Sequence, residues 1–170
     1  MSSIEIRYEN IVSMQVDAIV NAANEGLRQG GGVCGAIFQA ADTAELVMAC
    51  MSIGHCDTGQ AVITPSFGLP APHIIHAVGP VWHGGDMCED ELLYSTYGSA
   101  LAVAKANGCH SIAFPLISSG IFGYPLEDAW RIAIKACRDF IAEYDDYEIE
   151  IIFAVIDRNV KTTGEKVLAE

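Results

Sequence analysis

Apolar and polar positions in this chain follow two periods in turn, close to two over short stretches and near 3.6 over longer ones. Ile4, Ile6 and Tyr8 alternate with polar residues, the pattern of a half-buried strand. Val16-Asp17-Ala18-Ile19-Val20-Asn21 is a short apolar run that ends polar, as a buried strand does where its carboxyl end meets a site. Residues 33–53 are alanine-rich with helical spacing and predict two helices that meet near Asp42, a suitable N-cap. Ala61–Thr64 and Ile74–Val78 read as strands, separated by a turn-rich segment with Pro65, Gly68, Pro70 and Pro72. Within 90–107, Leu93, Tyr97, Ala100, Leu101 and Ala104 share one helical face.

Ser111–Leu116 is a further strand, followed by a loop at 117–124. A helix is predicted from Pro125, with Glu127 and Asp128 favourable in its first turn and Trp130, Ala133, Cys137, Phe140 and Tyr144 as its buried stripe. Glu148–Ile156 gives the last strand and 160–169 a terminal helix. No repeat, low-complexity tract or linker divides residues 1–170, so the expectation is one three-layer α/β domain with a mainly parallel sheet.

Composition narrows the chemistry. With 51% hydrophobic and 18% charged residues, the chain has the profile of a core-rich globular protein. Nine basic residues against 22 acidic ones give a formal net charge of −13. That argues against clamping nucleic acid, which needs clustered Lys and Arg to neutralise phosphates. Any phosphate bound here must be held by local donors against an unfavourable long-range field, and amides at helix N-termini can do so.

The six cysteines (34, 50, 56, 88, 109 and 137) contain no C-x-x-C pair, and Cys50 and Cys56 beside His55 lack the paired spacing of a zinc site. They read as reduced thiols, mostly buried. Neither a secretory signal nor a membrane-spanning apolar run is visible. The expectation is therefore a cytoplasmic protein with no metal, no cofactor and no membrane partner.

Two loops carry the candidate chemistry, each between a strand and a helix. The first, from Asn21 to Ala36, holds Gly30, Gly31 and Gly32, which let consecutive amides turn towards one anion; a helix starting near Val33 adds its dipole. Three glycines fit a flexible turn equally well. The second, Ser118 to Tyr124, has small residues and two glycines, and alone would fit an ordinary crossover. Two such loops at strand carboxyl ends suggest a ligand with two phosphates. Neither is a Walker A motif or a G-x-G-x-x-G fingerprint, so ATP hydrolysis and hydride transfer lose support.

The segment Asp17-Ala18-Ile19-Val20-Asn21-Ala22-Ala23-Asn24, followed by Gly30-Gly31-Gly32-Val33-Cys34-Gly35-Ala36-Ile37, closely resembles the signature of macro domains. The resemblance continues through Thr58-Gly59-Gln60-Ala61, His76 to Trp82, and Phe114-Pro115 to Tyr124-Pro125, in the family's order. The type most resembled is the MacroD-like bacterial O-acetyl-ADP-ribose deacetylase. The resemblance implies a three-layer α/β/α fold with a mixed, mainly parallel sheet and ADP-ribose lying across its crest. It implies that Asn10 and Ile11 flank the adenine, that Gly31, Gly32, Val33 and Gly35 wrap one side of the diphosphate, and that Ser119, Gly120, Ile121 and Phe122 enclose the other. Asn24 is then placed at the distal ribose, where the chemistry occurs, and Asn21 is read as an internal brace.

The chain departs from that pattern in ways that bear on function. Asn10 stands where the family usually has Asp; its carbonyl oxygen still accepts, without charge assistance, so adenine selectivity should be weakened. Cys34 stands where the related hydrolases carry the Asp assigned to the attacking water. A thiol close to a helix N-terminus can have its pKa lowered, but no His is near in sequence to act as base, leaving a nucleophile or a packing thiol. Phe38 replaces a common His and Phe122 a common Tyr. The readings are an ester hydrolase acting on O-acetyl-ADP-ribose or on ADP-ribosylated acidic side chains, with Asn24 and Cys34 as catalytic candidates; a non-catalytic reader of free or protein-linked ADP-ribose; and an RNA or poly(ADP-ribose) binder, which the charge disfavours.

Overall fold

The computed structural model describes residues 1–170. In chain order the elements are β1 (Ser3–Tyr8), β2 (Ala18–Ala23), α1 (Gly32–Ala40), α2 (Thr43–Ile53), β3 (Ala61–Pro65), β4 (His73–Val78), α3 (Glu89–Ala106), β5 (Ser111–Phe114), α4 (Leu126–Glu143), β6 (Glu150–Val155) and α5 (Arg158–Leu168). Asp42 caps α2 as its position suggests, its carboxylate accepting from Glu45 N. Three boundaries shift for local reasons. β5 ends at Phe114 because Pro115 has no N–H to continue a ladder. Pro125 precedes α4 in an extended conformation and caps it. Asp157 accepts from the Asn159 and Val160 amides and so starts α5 at Arg158.

The strands form one six-stranded sheet in the order β1-β6-β5-β2-β4-β3. All neighbours are parallel except β3, which runs antiparallel to β4 at the edge. Alternation along each strand assigns side chains to the two faces. Ala18, Val20, Ile75, Ala77, Ile112, Phe114, Ile151 and Phe153 face a core shared with α3, α4 and α5. Ile19, Ile74, Val78, Ala113, Ile152 and Ala154 face a second core closed by α1, α2 and a single 3-10 turn at Ile11–Ser13. This is the three-layer α/β/α arrangement with a mixed, mainly parallel sheet. Because β1, β6, β5, β2 and β4 are parallel, their carboxyl ends emerge along one crest, where loops can build a site. No single helix is long and apolar enough to cross a membrane.

His76 on β4 is fully buried, paired in register with Asn21 on β2. Asn21 Nδ2 donates to His76 Nδ1 at 3.0 Å, and His76 Nε2 lies 2.9 Å from Thr64 Oγ1. Thr64 spends its hydroxyl hydrogen on Pro65 O, so His76 Nε2 carries the proton and the ring is neutral. Burial lowers the His76 pKa from 6.5 to about 4. The unfolded chain therefore binds this proton first as pH falls. The stability associated with neutral His76 is complete above pH 6.5 and is lost as pH falls through about 4. Across that window the loss should reach about 3 kcal/mol. In urea melts at several pH values, His76→Gln should flatten this slope; an unchanged slope would show that His76 does not set it.

Candidate functional site

A cleft of about 650 Å³ runs along the crest of the sheet, within the size range of small-molecule sites. Its floor is made by the ends of β2, β5 and β6, and its two long walls by the loops at 30–34 and 115–122. Asn10, Ile11, Asn24, Gly31, Gly32, Val33, Cys34, Ser119, Gly120, Ile121 and Phe122 all line it. Gly35 does not. A Cβ there would stand 2.6 Å from Gly30 O, so this glycine lets the first loop fold back against α1.

The first wall is the N-terminus of α1. Gly31 occupies the cap position with no side-chain cap, and Gly32 adopts a positive φ of 58° that turns the chain into the helix. The first amide that finds a backbone acceptor is Gly35 N, on Gly31 O at 3.2 Å. The Gly32, Val33 and Cys34 N–H groups have no intramolecular partner, which concentrates the helix dipole on the cleft. The second wall closes on itself through Tyr124 N to Ser118 O and Gly123 N to Gly120 O. That leaves the Ser119, Gly120, Ile121 and Phe122 N–H groups likewise without a partner in the protein. Two rows of free amides thus border one trough. The walls also touch, because Ile121 Cδ1 lies 3.2 Å from where a Gly31 Cβ would be.

No lysine or arginine lines the cleft, and no histidine does. The lining carboxylates, Glu9 and Asp157, follow β1 and β6 at the Asn10 end. At the opposite end Asn24 is already engaged: its Oδ1 accepts from Arg28 N at 3.0 Å and its Nδ2 donates to Arg28 O at 2.9 Å. Each still has capacity for one more bond. Cys34 Sγ is buried and also donates to Arg28 O, at 3.5 Å. Asn24 and Cys34 therefore converge on one carbonyl and hold the 24–28 turn. No base accompanies the thiol in the lining. Asn21 lies beneath, buried on His76 as a brace, with its Oδ1 unpaired.

Sequence reasoning missed the β6 side of the cleft, Ala154 to Asp157 with Val160 behind it. The signal was available in the rule that parallel strands present ligands at their carboxyl ends. It placed Ser118 in the second loop, where the structure gives this non-glycine residue a φ of 69° on the cleft wall, but it missed Glu89. The buried Glu89 carboxylate accepts from the amides of His83, Gly85 and Met87 at 2.7, 3.0 and 2.6 Å. Burial pushes its pKa up, but these donors outweigh that and bring it down to about 2. The loop it organises carries Trp82, whose N–H donates to Phe122 O at 2.8 Å and whose ring packs on Tyr124. Glu89 thus braces the second wall from outside. The residues His83–Asp86 are exposed, as a solvent loop should be, but they are ordered around an anion.

Outside the cleft, the ligand atoms of Glu25, His55 and Asp57 lie within 4.8 Å of one another on exposed loops. His55 Nε2 lies 2.7 Å from Asp57 Oδ1, and Glu25 accepts from Thr58 N and Oγ1. Cys50 and Cys56 are buried, and all six cysteines are unpaired.

Comparison with known proteins agrees with this geometry. The model of the macro domain family matches residues 20–133. The O-acetyl-ADP-ribose deacetylase of Klebsiella pneumoniae is 44% identical over 97% of this chain and 95% of its own length. The protein of that name from Salmonella gallinarum is 50% identical over 84% of this chain and 82% of its own. Among solved structures, the Oceanobacillus iheyensis macrodomain with ADP superposes with a TM-score of 0.91 at 34% identity, covering 96% of this chain and 88% of that one. The Trypanosoma brucei macrodomain in complex with ADP-ribose gives 0.90 at 36%, covering 97% and 68%. The chain belongs to the macro domain family.

The two glycines of the first loop should respond differently to alanine. Gly32→Ala meets open space and costs only its positive φ, about 1 kcal/mol. Gly35→Ala must displace the Gly30 carbonyl, costing about 1–3 kcal/mol and weakening ligand binding about tenfold or more. Urea melts and calorimetry on both variants would check this; a Gly35→Ala protein as stable and as tight as the parent would refute it.

Proposed function

We propose that this chain binds ADP-ribose along the crest of its sheet, with the diphosphate between the two rows of free amides. The observation that carries this reading is an anion-shaped trough with unpaired N–H groups on both walls and no cationic side chain in a protein of charge −13. On the pattern that the macro domain motifs imply, the base lies at the Asn10–Ile11 end and the distal ribose at the Asn24–Cys34 end; relatives solved with ADP and with ADP-ribose support a ligand of this class. The names of the bacterial relatives support ester hydrolysis at the distal ribose, on O-acetyl-ADP-ribose or on mono-ADP-ribosylated acidic side chains of proteins. In that reaction water attacks the acyl carbon, the ribose hydroxyl leaves, and the acid and ADP-ribose are released.

No carboxylate or imidazole lines the distal end, so the attacking water must be oriented by Asn24 and the substrate's own phosphate. The thiol of Cys34 serves the fold of the loop through Arg28 O rather than attacking. That same lack of a base favours a second reading, a reader module that binds the ligand without turning it over. A reduced, cytoplasmic setting suits six unpaired cysteines, Cys88 exposed among them. Neither nucleic acid nor membrane is a proposed partner.

Because amides, not cations, hold the anion, added salt should screen the protein's overall repulsion and tighten binding. Calorimetry with ADP-ribose at rising NaCl should show Kd falling; a steep rise would indicate cationic contacts and contradict the site. Release of acetate from O-acetyl-ADP-ribose separates the two readings. Turnover that survives Cys34→Ala but is reduced about 100-fold in Asn24→Ala fits water attack. Turnover abolished by Cys34→Ala points to a nucleophilic thiol, and no turnover in the parent leaves the reader.

A further inference from the structure

The base end of the cleft has a hydrogen-bonding pattern that bears on which purine it takes. Its apolar walls, Ile11, Ala154, Ile156 and Val160, suit a flat heterocycle. Its polar side chains are the carboxylates of Glu9 and Asp157 and the amide of Asn10. Asp157 uses Oδ1 on the Asn159 and Val160 amides, and the nearest cation to Glu9 is Arg7, at 4.0 Å. Asn10 is the one side-chain donor in this set, since carboxylates only accept.

The orientation of the Asn10 amide is set by the backbone. It caps the 3-10 turn, with Oδ1 accepting from Val12 N at 3.2 Å. An N–H requires an acceptor, so the oxygen must face Val12 and the amino group must point elsewhere. Nδ2 has no partner in the protein, and Oδ1 retains one lone pair. The residue therefore offers both a donor and an acceptor to the ring edge.

Adenine presents a donor at position 6 and an acceptor at N1; a 6-oxopurine presents the reverse. An acceptor-only carboxylate at position 10 would pair with the amino group and would face O6 with an unsatisfied acceptor. An amide satisfies either edge. We infer that Asn10 makes this cleft permissive at purine position 6, so that it takes 6-oxopurine nucleoside diphosphate riboses about as well as ADP-ribose. This rests on the ADP-ribose reading above and extends it to a broader class of ligand.

Inosine diphosphate ribose is the cleanest probe, because it differs from ADP-ribose only at position 6 and the adjoining ring proton. Calorimetry on the full chain should give Kd values for the two ligands within about threefold, less than the cost of one unsatisfied hydrogen bond. Asn10→Asp is a fair control, since Asp is an equally good cap and keeps the Val12 contact. It should open a preference for adenine of about tenfold or more. A parent that already rejects the hypoxanthine ligand tenfold overturns the inference, as does an Asn10→Asp variant with an unchanged ratio. If ADP-ribose itself does not bind, it is the proposed function that fails; strong ADP-ribose binding with rejection of the inosine compound removes only this extension.

Discussion

The site depends on amide groups that the fold leaves unpaired. A buried or half-buried N–H without an acceptor is costly, and most of the chain avoids it through regular ladders and helices. The crest is the exception. Gly31 gives α1 an N-terminus with no side-chain cap, and the loop after β5 bonds to itself in a way that leaves four amides free. Both loops border one trough because five of the six strands are parallel and deliver their carboxyl ends to the same edge. An anion placed there satisfies many donors together. In so acidic a chain, those local dipoles must outweigh the average field.

Holding the walls in place falls to residues outside the trough. Asn24 and Cys34 meet on the Arg28 carbonyl and fix the turn that leads into the glycines, while Gly35 admits the Gly30 carbonyl against α1. On the other side, Glu89 gathers three amides, orders the loop carrying Trp82, and through it holds the Phe122 carbonyl. Beneath both, Asn21 and His76 link β2 to β4 in a neutral hydrogen-bonded pair. The two ends of the cleft differ in chemistry. Carboxylates gather at the Asn10 end, and the Asn24 end has amide and thiol groups but neither carboxylate nor imidazole. The departures at Cys34 and Phe38 leave the two amide rows intact.

Much of this was legible in the order of residues. Alternation located β1, short apolar runs between turn signals located the other strands, 3.6-period stripes located the helices, and Asp42 marked a helix junction, because each is a local consequence of side-chain direction and capping. The charge imbalance pointed to backbone donors before any geometry was known, and the glycine runs said which segments would supply them. The macro domain motifs carried the mixed sheet, which the alternation of elements alone does not specify.

Tertiary structure decided what depends on distant segments meeting. Gly35 looks like part of the phosphate loop in sequence, and only the tertiary structure shows that the Gly30 carbonyl would stand 2.6 Å from a Cβ there. The β6 wall, 120 residues or so beyond the first loop, joins the cleft through sheet order, which pairs β1 with β6 and β6 with β5. Glu89 reads as one acid among many at the start of a helix until the loop folds over it. Asn10 reads as a weakened acceptor, and its bond to Val12 shows it to be a free donor as well. Propensity and capping act over a few residues and are written in the sequence. Which groups remain unpaired, and what they face, is settled only when the chain closes on itself.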